Sequence, residues 1–470
     1  MLFISLRFLL LTGVLSLVAC GGGGGSGSPA SSSSSAMSSS EASSSEFSSS
    51  VVSSSSSEAS SSVASSSSSQ SSSSTFEVTY NDTSAYETGI HRNLFVEFQL
   101  GTQQQVDDKV GAAYQQLFFG NGSQTVMYAV GSDMAYIYAP DSDDIRSEGM
   151  SYGMMIAVMM NDQESFNRLW RFAKEYMQVK TGNLAGYFSW SLDNEAPYPA
   201  TDVNPAADGE EYFVMSLFFA HNRWGSGSGV LDYQAEANAI LDDMVNKDTA
   251  TVGPLMDPAA HQIVFSPVQA NPYTDPSYHL PAFYELWALW AESNNQYWHD
   301  AAQISRDFFY SAAHTSTGLF PEYSSFEGAP VETSFNSNSH NSAFDAHRVI
   351  HNMAMDYAWF SKSNTLNELV ERLHQFYYNE GAPENPRSYF AVYSLDGEAL
   401  ANYSASSLVA MNAVGALASD ETIAAGFVED LWYQAVPSGT YRYYNGLIHM
   451  LGLLHTAGEF KIYGNPVLVD

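Results

Sequence analysis

The sequence predicts an all-α fold, an (α/α)6 barrel of six helical hairpins forming one catalytic domain. Three observations lead there. Apolar residues recur at helical spacing in twelve segments, strand-like alternation is weak and brief, as over Phe390–Tyr393, and acidic and aromatic residues gather just before alternate helices.

The first stretch of the 470 residues is not fold material. The opening MLFISLRFLLLTGVLSLVAC carries one positive residue, Arg7, then a short apolar run and a small residue before Cys20, the layout of an export signal over residues 1–20. It is too short to span a bilayer, which takes about 20 apolar residues. Leu17-Val18-Ala19-Cys20 resembles a bacterial lipoprotein box, whose cysteine becomes the lipidated N-terminus. The glycine after it resembles outer-membrane sorting, so the expected place is the cell envelope, facing the periplasm or the cell surface. The alternative is an ordinary signal peptide ending at a free thiol. Cys20 is the only cysteine, so no disulfide forms and stability must come from a core.

Residues 21–75 are almost entirely Ser and Gly, a composition that cannot bury enough apolar surface to offset chain entropy and reads as a flexible tether. From 76 to 470 the chain is rich in Tyr, Phe, Trp, Leu and Met and long enough for one large domain. The net charge of −34 is concentrated there, since only Arg7, Glu41, Glu46 and Glu58 are charged before it. Such a surface repels phosphate backbones, which excludes a nucleic-acid partner and suits a neutral polysaccharide. The expectations are a monomer, no cofactor, no metal, and membrane attachment through the lipid anchor alone.

Helices are predicted near 106–119, 149–160, 163–178, 209–222, 233–247, 280–293, 298–313, 342–360, 364–378, 404–417, 420–435 and 442–457. If they wind outer, inner, outer, inner, the even-numbered ones run parallel and their N-termini share one mouth. Just before them stand Arg146-Ser147-Glu148-Gly149, Asp208-Gly209-Glu210-Glu211, Pro276-Ser277-Tyr278-His279, Phe344-Asp345-Ala346-His347-Arg348 and Tyr441-Arg442-Tyr443-Tyr444.

Each acid alone also fits helix capping: Asp208 with Glu211, or Ser342 with Asp345, as a capping box, and Glu148 against the helix dipole. Together, three acids around one aromatic hollow supply what glycosidic hydrolysis needs, one protonated carboxyl and one ionised. Burial and a neighbouring carboxylate raise the donor. Arg348, three residues after Asp345, can reach it and keep it ionised, or serve only as a surface ion pair. For sugar stacking the candidates are Trp190, then Tyr443 and Tyr444, whereas Trp287 and Trp290 within a helix read as core.

The runs SEGMSYGMMIA, DGEEYF, DPSYHLPAFYELWALWA, FDAHRV and RYYNG resemble glycoside hydrolase family 8, especially its xylan-active members, and the similarity extends from His91 to Ile462. The resemblance implies an (α/α)6 barrel and an inverting mechanism. Carried onto this chain, it makes Glu148 the general acid and Asp345 the general base. Asp208 would bind and distort the sugar, and Tyr278 would hold the water.

Family members that release xylose from the reducing end carry a Leu-His-Pro run after a segment similar to Tyr393–Gly397. Here Glu398–Ser407 stands in its place, with no histidine from Gln375 to Ile448. An open cleft favours internal cleavage, so the expectation leans to an endo-xylanase. The alternatives are a reducing-end exo-oligoxylanase, a β-1,4-glucan hydrolase, a uronic-acid lyase, and a non-enzymatic glycan-binding surface lipoprotein. A lyase needs cationic groups that an acidic mouth does not provide.

Other motifs carry nothing. His347 and His351 have zinc-ligand spacing, but Arg348 replaces the glutamate a zincin needs. Asp141, Asp143 and Asp144 lack the glycine of a calcium loop.

Overall fold

The computed structural model describes residues 78–467 except 249, 251, 269–271, 382–386, 421 and 466. Cys20, the export segment and the Ser-rich tether to residue 75 lie outside the described residues.

Two short helices, α1 (Ala85–Thr88) and α2 (Leu94–Glu97), precede α3 (Gln103–Phe119), α4 (Ser147–Met159), α5 (Gln163–Phe172), α6 (Ala207–Trp224) and α7 (Tyr233–Asn246). Then come α8 (Pro281–Trp290), α9 (Asn295–Ala312), α10 (Val349–Asp356), α11 (Asn364–Asn379), α12 (Ser406–Gly415), α13 (Ala424–Tyr433) and α14 (Arg442–Thr456). Each of the twelve predicted segments holds one of α3 to α14, so the fold is all-α in class. The eighth is composite: a 3-10 turn, Asp345–Arg348, leads into α10, and a π turn, Tyr357–Ser361, follows it.

Burial alternates along the chain. In α4 every residue but Glu148 is buried, and α6, α8, α10, α12 and α14 are nearly as dry. Their sequences are apolar almost all round, the pattern of a helix enclosed on every side. The odd-numbered helices are amphipathic: α5 buries Phe166, Leu169, Trp170 and Phe172, leaving Gln163 and Glu164 exposed. Each odd helix covers an even one, α5 on α4, α7 on α6, α9 on α8, α11 on α10, α13 on α12 and α3 on α14. Among the even helices, α8 packs on α10, α10 on α12, α12 on α14 and α14 on α4, which packs on α6. Between α6 and α8 the Tyr284 hydroxyl donates to Glu211 at 2.6 Å and Tyr212 meets Phe283 edge to face at 5.1 Å.

Glycine permits the tightest of these approaches. A Cβ on Gly209 of α6 would lie 2.6 Å from Ser147 Oγ of α4, and one on Gly149 would lie 2.4 Å from the Tyr443 ring of α14. The N-terminal turns of three helices therefore touch. Trp287 is core against Trp298, and Trp290 is half-buried against Phe218 and Phe219.

Strand-like alternation is weak in the sequence, but a five-stranded antiparallel meander is present: β1 (Met127–Val130), β2 (Met134–Ala139), β3 (Asp144–Arg146), β4 (Ser191–Asp193) and β5 (Ala200–Asp202), in that order. Its strands are three to six residues long, too few for alternation to stand out. Ile145 pairs with Tyr138 on one side and Leu192 on the other. Because β3 runs directly into α4, the sheet fixes where Glu148 begins its helix. Phe390–Tyr393 forms no strand; Tyr393 makes isolated bridges to Ser342 and Ala399. Among the described residues no helix is long and apolar enough to cross a membrane.

Candidate active site

The N-terminal turns of α4, α6 and α14, the 3-10 turn Pro276–Tyr278 before α8 and the turn Asp345–Arg348 before α10 converge on one guanidinium. Arg348 Nη1 donates to Glu148 Oε2 at 3.2 Å, Asp208 Oδ2 at 2.9 Å and the Tyr152 hydroxyl at 2.6 Å. Its Nη2 donates to Asp345 Oδ1 at 3.2 Å and lies 4.0 Å from Asp275 Oδ2. Arg348 is thus no surface ion pair. It is buried and joins four acids that are distant in sequence.

Capping does not account for these acids. The caps of α4 and α6 are Arg146 and Ala206, neither with a side-chain cap bond, and Glu148 and Asp208 sit inside the first turn. Glu211 accepts from Tyr284 instead of closing a box. Ser342 pairs its backbone with Tyr393.

Glu148 is held from both sides. Its Oε1 accepts from the Tyr443 hydroxyl at 2.8 Å, and its side chain keeps 17% of its surface open to solvent. Burial pushes its carboxyl up; Arg348 pulls it down, Asp208 and Asp345 push it up again, and the outcome is about 7. A group titrating there can hold a proton at neutral pH and release it. Burial also raises Asp208, against the pull of Arg348. Asp275 is raised well above the usual carboxylate range by burial, then by Asp345. Arg348 keeps its charge despite burial because acids and tyrosines surround it.

Tyr278 is buried, its ring parallel to Phe265 at 6.0 Å and beneath the Arg348 guanidinium at 5.7 Å. Tyr443 is only 1% exposed and serves as the hydrogen-bond partner of Glu148, with no free face for a sugar. Tyr444 is half-buried and donates to the Phe344 carbonyl at 2.6 Å, which fixes the residue before Asp345. Trp190 is half-buried at the end of a loop, its carbonyl accepting from Ser147 at 2.9 Å and its ring under Arg146 at 5.5 Å.

Sequence reasoning missed Asp275, Tyr152 and Glu322. Tyr152 follows Glu148 by one helical turn. Glu322 Oε1 faces the Asp345 backbone N–H at 3.5 Å while Asn336 donates to its Oε2 at 3.0 Å, and burial and then Asp345 push it up to about 8. The two spaced histidines turn to different partners: His347 to Ser407 and the Ala391 carbonyl, His351 to Asn352 and His455. Among the described residues no group of three or more His, Cys, Asp or Glu side chains could hold a metal.

Residues 138–458, which contain every acid of this cluster, match the family described as Glycosyl hydrolases family 8. The chain belongs to that family. It is a glycoside hydrolase. Among curated proteins, this family 8 chain is 36% identical to the reducing-end xylose-releasing exo-oligoxylanase of Paenibacillus barcinonensis, over 81% of this chain and 98% of that protein. It is also 36% identical to the enzyme of that name from Halalkalibacterium halodurans, over 81% and 96%. Among solved structures, a family 8 protein of Teredinibacter turnerae in complex with xylobiose superposes with a TM-score of 0.77 at 39% identity, covering 81% of this chain and 99% of that one. A catalytic mutant of the xylanase from the same organism is solved with xylohexaose, at a TM-score of 0.76 and 39% identity over the same shares.

Proposed function

We propose that this enzyme hydrolyses β-1,4-xylosidic bonds of xylan or xylo-oligosaccharides with inversion, on a six-hairpin (α/α)6 barrel. The observation that carries the reading is the Arg348 junction, which sets a carboxyl pushed up to about 7 beside carboxylates held by the same guanidinium. Glu148 donates its proton to the leaving oxygen, with the Tyr443 hydroxyl fixing the carboxyl's rotation. Asp345, which accepts from Arg348 Nη2 at 3.2 Å, takes the proton of the attacking water, which Tyr278 helps to hold. Asp208 binds the sugar at the cleavage point. Inversion places acid and base on opposite faces of the ring, roughly 6.5–9.5 Å apart. Trp190 is proposed as a stacking platform at the rim. The supporting relatives are xylan-active enzymes similar over their whole length. The test is product analysis on xylan and linear xylo-oligosaccharides. Absence of hydrolysis, with Glu148→Gln and Asp345→Asn binding glycan as wild type does, supports the glycan-binding alternative.

Two modes of attack remain distinguishable. The replaced stretch Glu398–Ser407 folds back by a Leu400 N–H bond to the Val392 carbonyl at 2.9 Å and leaves Leu400 and Tyr403 exposed, which supports internal cleavage, as does the relative solved with xylohexaose. The curated exo-oligoxylanase relatives support removal of xylose from the reducing end. Xylohexaose decides between them: xylose released alone from that end refutes the endo reading, and internal products refute the exo reading. We further propose anchorage through lipidated Cys20 on the outer membrane. Cys20→Ala is then expected to move the protein from the membrane to the soluble fraction.

A further inference from the structure

Asp275 is the acid at this junction that the proposed chemistry does not use. It is fully buried, and its Oδ1 accepts the Ser277 N–H at 2.7 Å, so it shapes the turn that carries Tyr278. Its Oδ2 has no hydrogen-bond donor among the described residues. Arg348 Nη2, 4.0 Å away, is beyond hydrogen-bond reach and already donates to Asp345. Nη1 is shared by Glu148, Asp208 and Tyr152. One cation cannot balance four buried carboxylates, and an acid buried with one oxygen bare of any donor favours its protonated form.

We propose that Asp275 is a positioning residue that works as the neutral acid, holding the Ser277–Tyr278 turn in place while leaving the charge of Arg348 to Glu148, Asp208 and Asp345. Among the groups facing it, Asp345 before α10 favours a bound proton, while Arg348 and the hydrogen bonds from Ser277 oppose one. Glu211 on α6 and Tyr444 on α14 are themselves raised, so neither adds a cation beside it. Burial is the largest influence and favours the bound proton.

Asp275→Asn tests this, because the amide imitates a neutral acid in shape and retains an acceptor for Ser277. An acid whose folded pKa is raised contributes stability below its unfolded value of about 4 and loses it as pH rises. The Tm of D275N relative to wild type is therefore expected to climb from about pH 4.5 to about pH 8. A relative Tm that stays flat or falls over that range marks a charged Asp275 and overturns the proposal. So does a D275N chain that folds at no pH. This arm needs no turnover, so its failure is distinct from failure of the hydrolase reading, which shows as wild type giving no products from xylohexaose. The kinetic arm rests on that reading. The acid limb of kcat/KM keeps its midpoint in D275N even where the rate falls, whereas a downward move of about one pH unit means a charge was removed beside Asp345 and overturns the proposal.

Discussion

Replacing Glu148 by glutamine removes the proposed proton donor and relieves a strain on the fold at once, so activity and stability are expected to move in opposite directions. The carboxyl stands at about 7 in the folded chain against an ordinary 4.5. The difference corresponds to about 3 kcal/mol. Because the folded value is the higher one, this contribution is fully present below about pH 4.5 and is lost as pH rises through about 7. Glutamine does not lose it, so E148Q gains on wild type across that window by about 3 kcal/mol. With an unfolding entropy of about 2.1 cal/mol/K per residue over the folded part, the gain in Tm is about 4 °C. Hydrolysis of xylohexaose, followed by chromatography, is expected to fall by about 10²–10⁴-fold, the usual share of a general acid. In wild type kcat/KM should decline above about pH 7 as free Glu148 ionises. An E148Q protein whose Tm relative to wild type does not rise between about pH 4.5 and about pH 8 refutes the assignment of a raised, buried donor. Activity retained within about tenfold of wild type refutes its role in the chemistry.

Asp345→Asn removes the proposed base while keeping the side chain's shape, and xylan hydrolysis is expected to drop by about 10²–10⁴-fold with little change in the unfolding midpoint. Arg348→Met leaves Asp208 and Asp345 without their counter-ion; denaturant unfolding at neutral pH should show a loss of about 3–5 kcal/mol. Gly149→Ala puts a methyl 2.4 Å from the Tyr443 ring and 2.8 Å from its hydroxyl oxygen, so the ring must leave Glu148. We expect kcat to fall with KM nearly held and a stability loss of about 1–3 kcal/mol, read by kinetics and calorimetry.

The helices were legible because their apolar spacing persists over ten residues or more, as in α4 and α14. The meander was not, since Asp144–Arg146 and Ser191–Asp193 are too short to show a period. The start of α3 was read late because its first turn, Gln103 to Gln105, is polar; Thr102 and Gln105 close a capping box there. Within the site, Glu148, Asp208 and Asp345 stood out by their place before helices and by family resemblance. Asp275 was passed over because Asp-Pro reads as a turn, and the burial that gives it a role comes from helices far away in sequence. Tyr443 was taken for a stacking surface because composition cannot say which way a ring faces. Glu322 lies in a loop with no periodicity to draw attention to it.

The contact between α14 and α4 brings one of the last segments of the chain against one of the earlier ones, and through it Tyr443 reaches Glu148 across 295 positions. On a ribosome Glu148 is made long before its hydroxyl partner. Arg348 likewise arrives long after the two acids at 148 and 208 that it neutralises. A partly made chain therefore carries unbalanced acids and no working donor, and catalytic competence becomes a report that the final helix has docked. Truncation just before Arg442 should leave most of the core sequence intact yet abolish turnover, and in refolding the recovery of activity should lag the recovery of helicity.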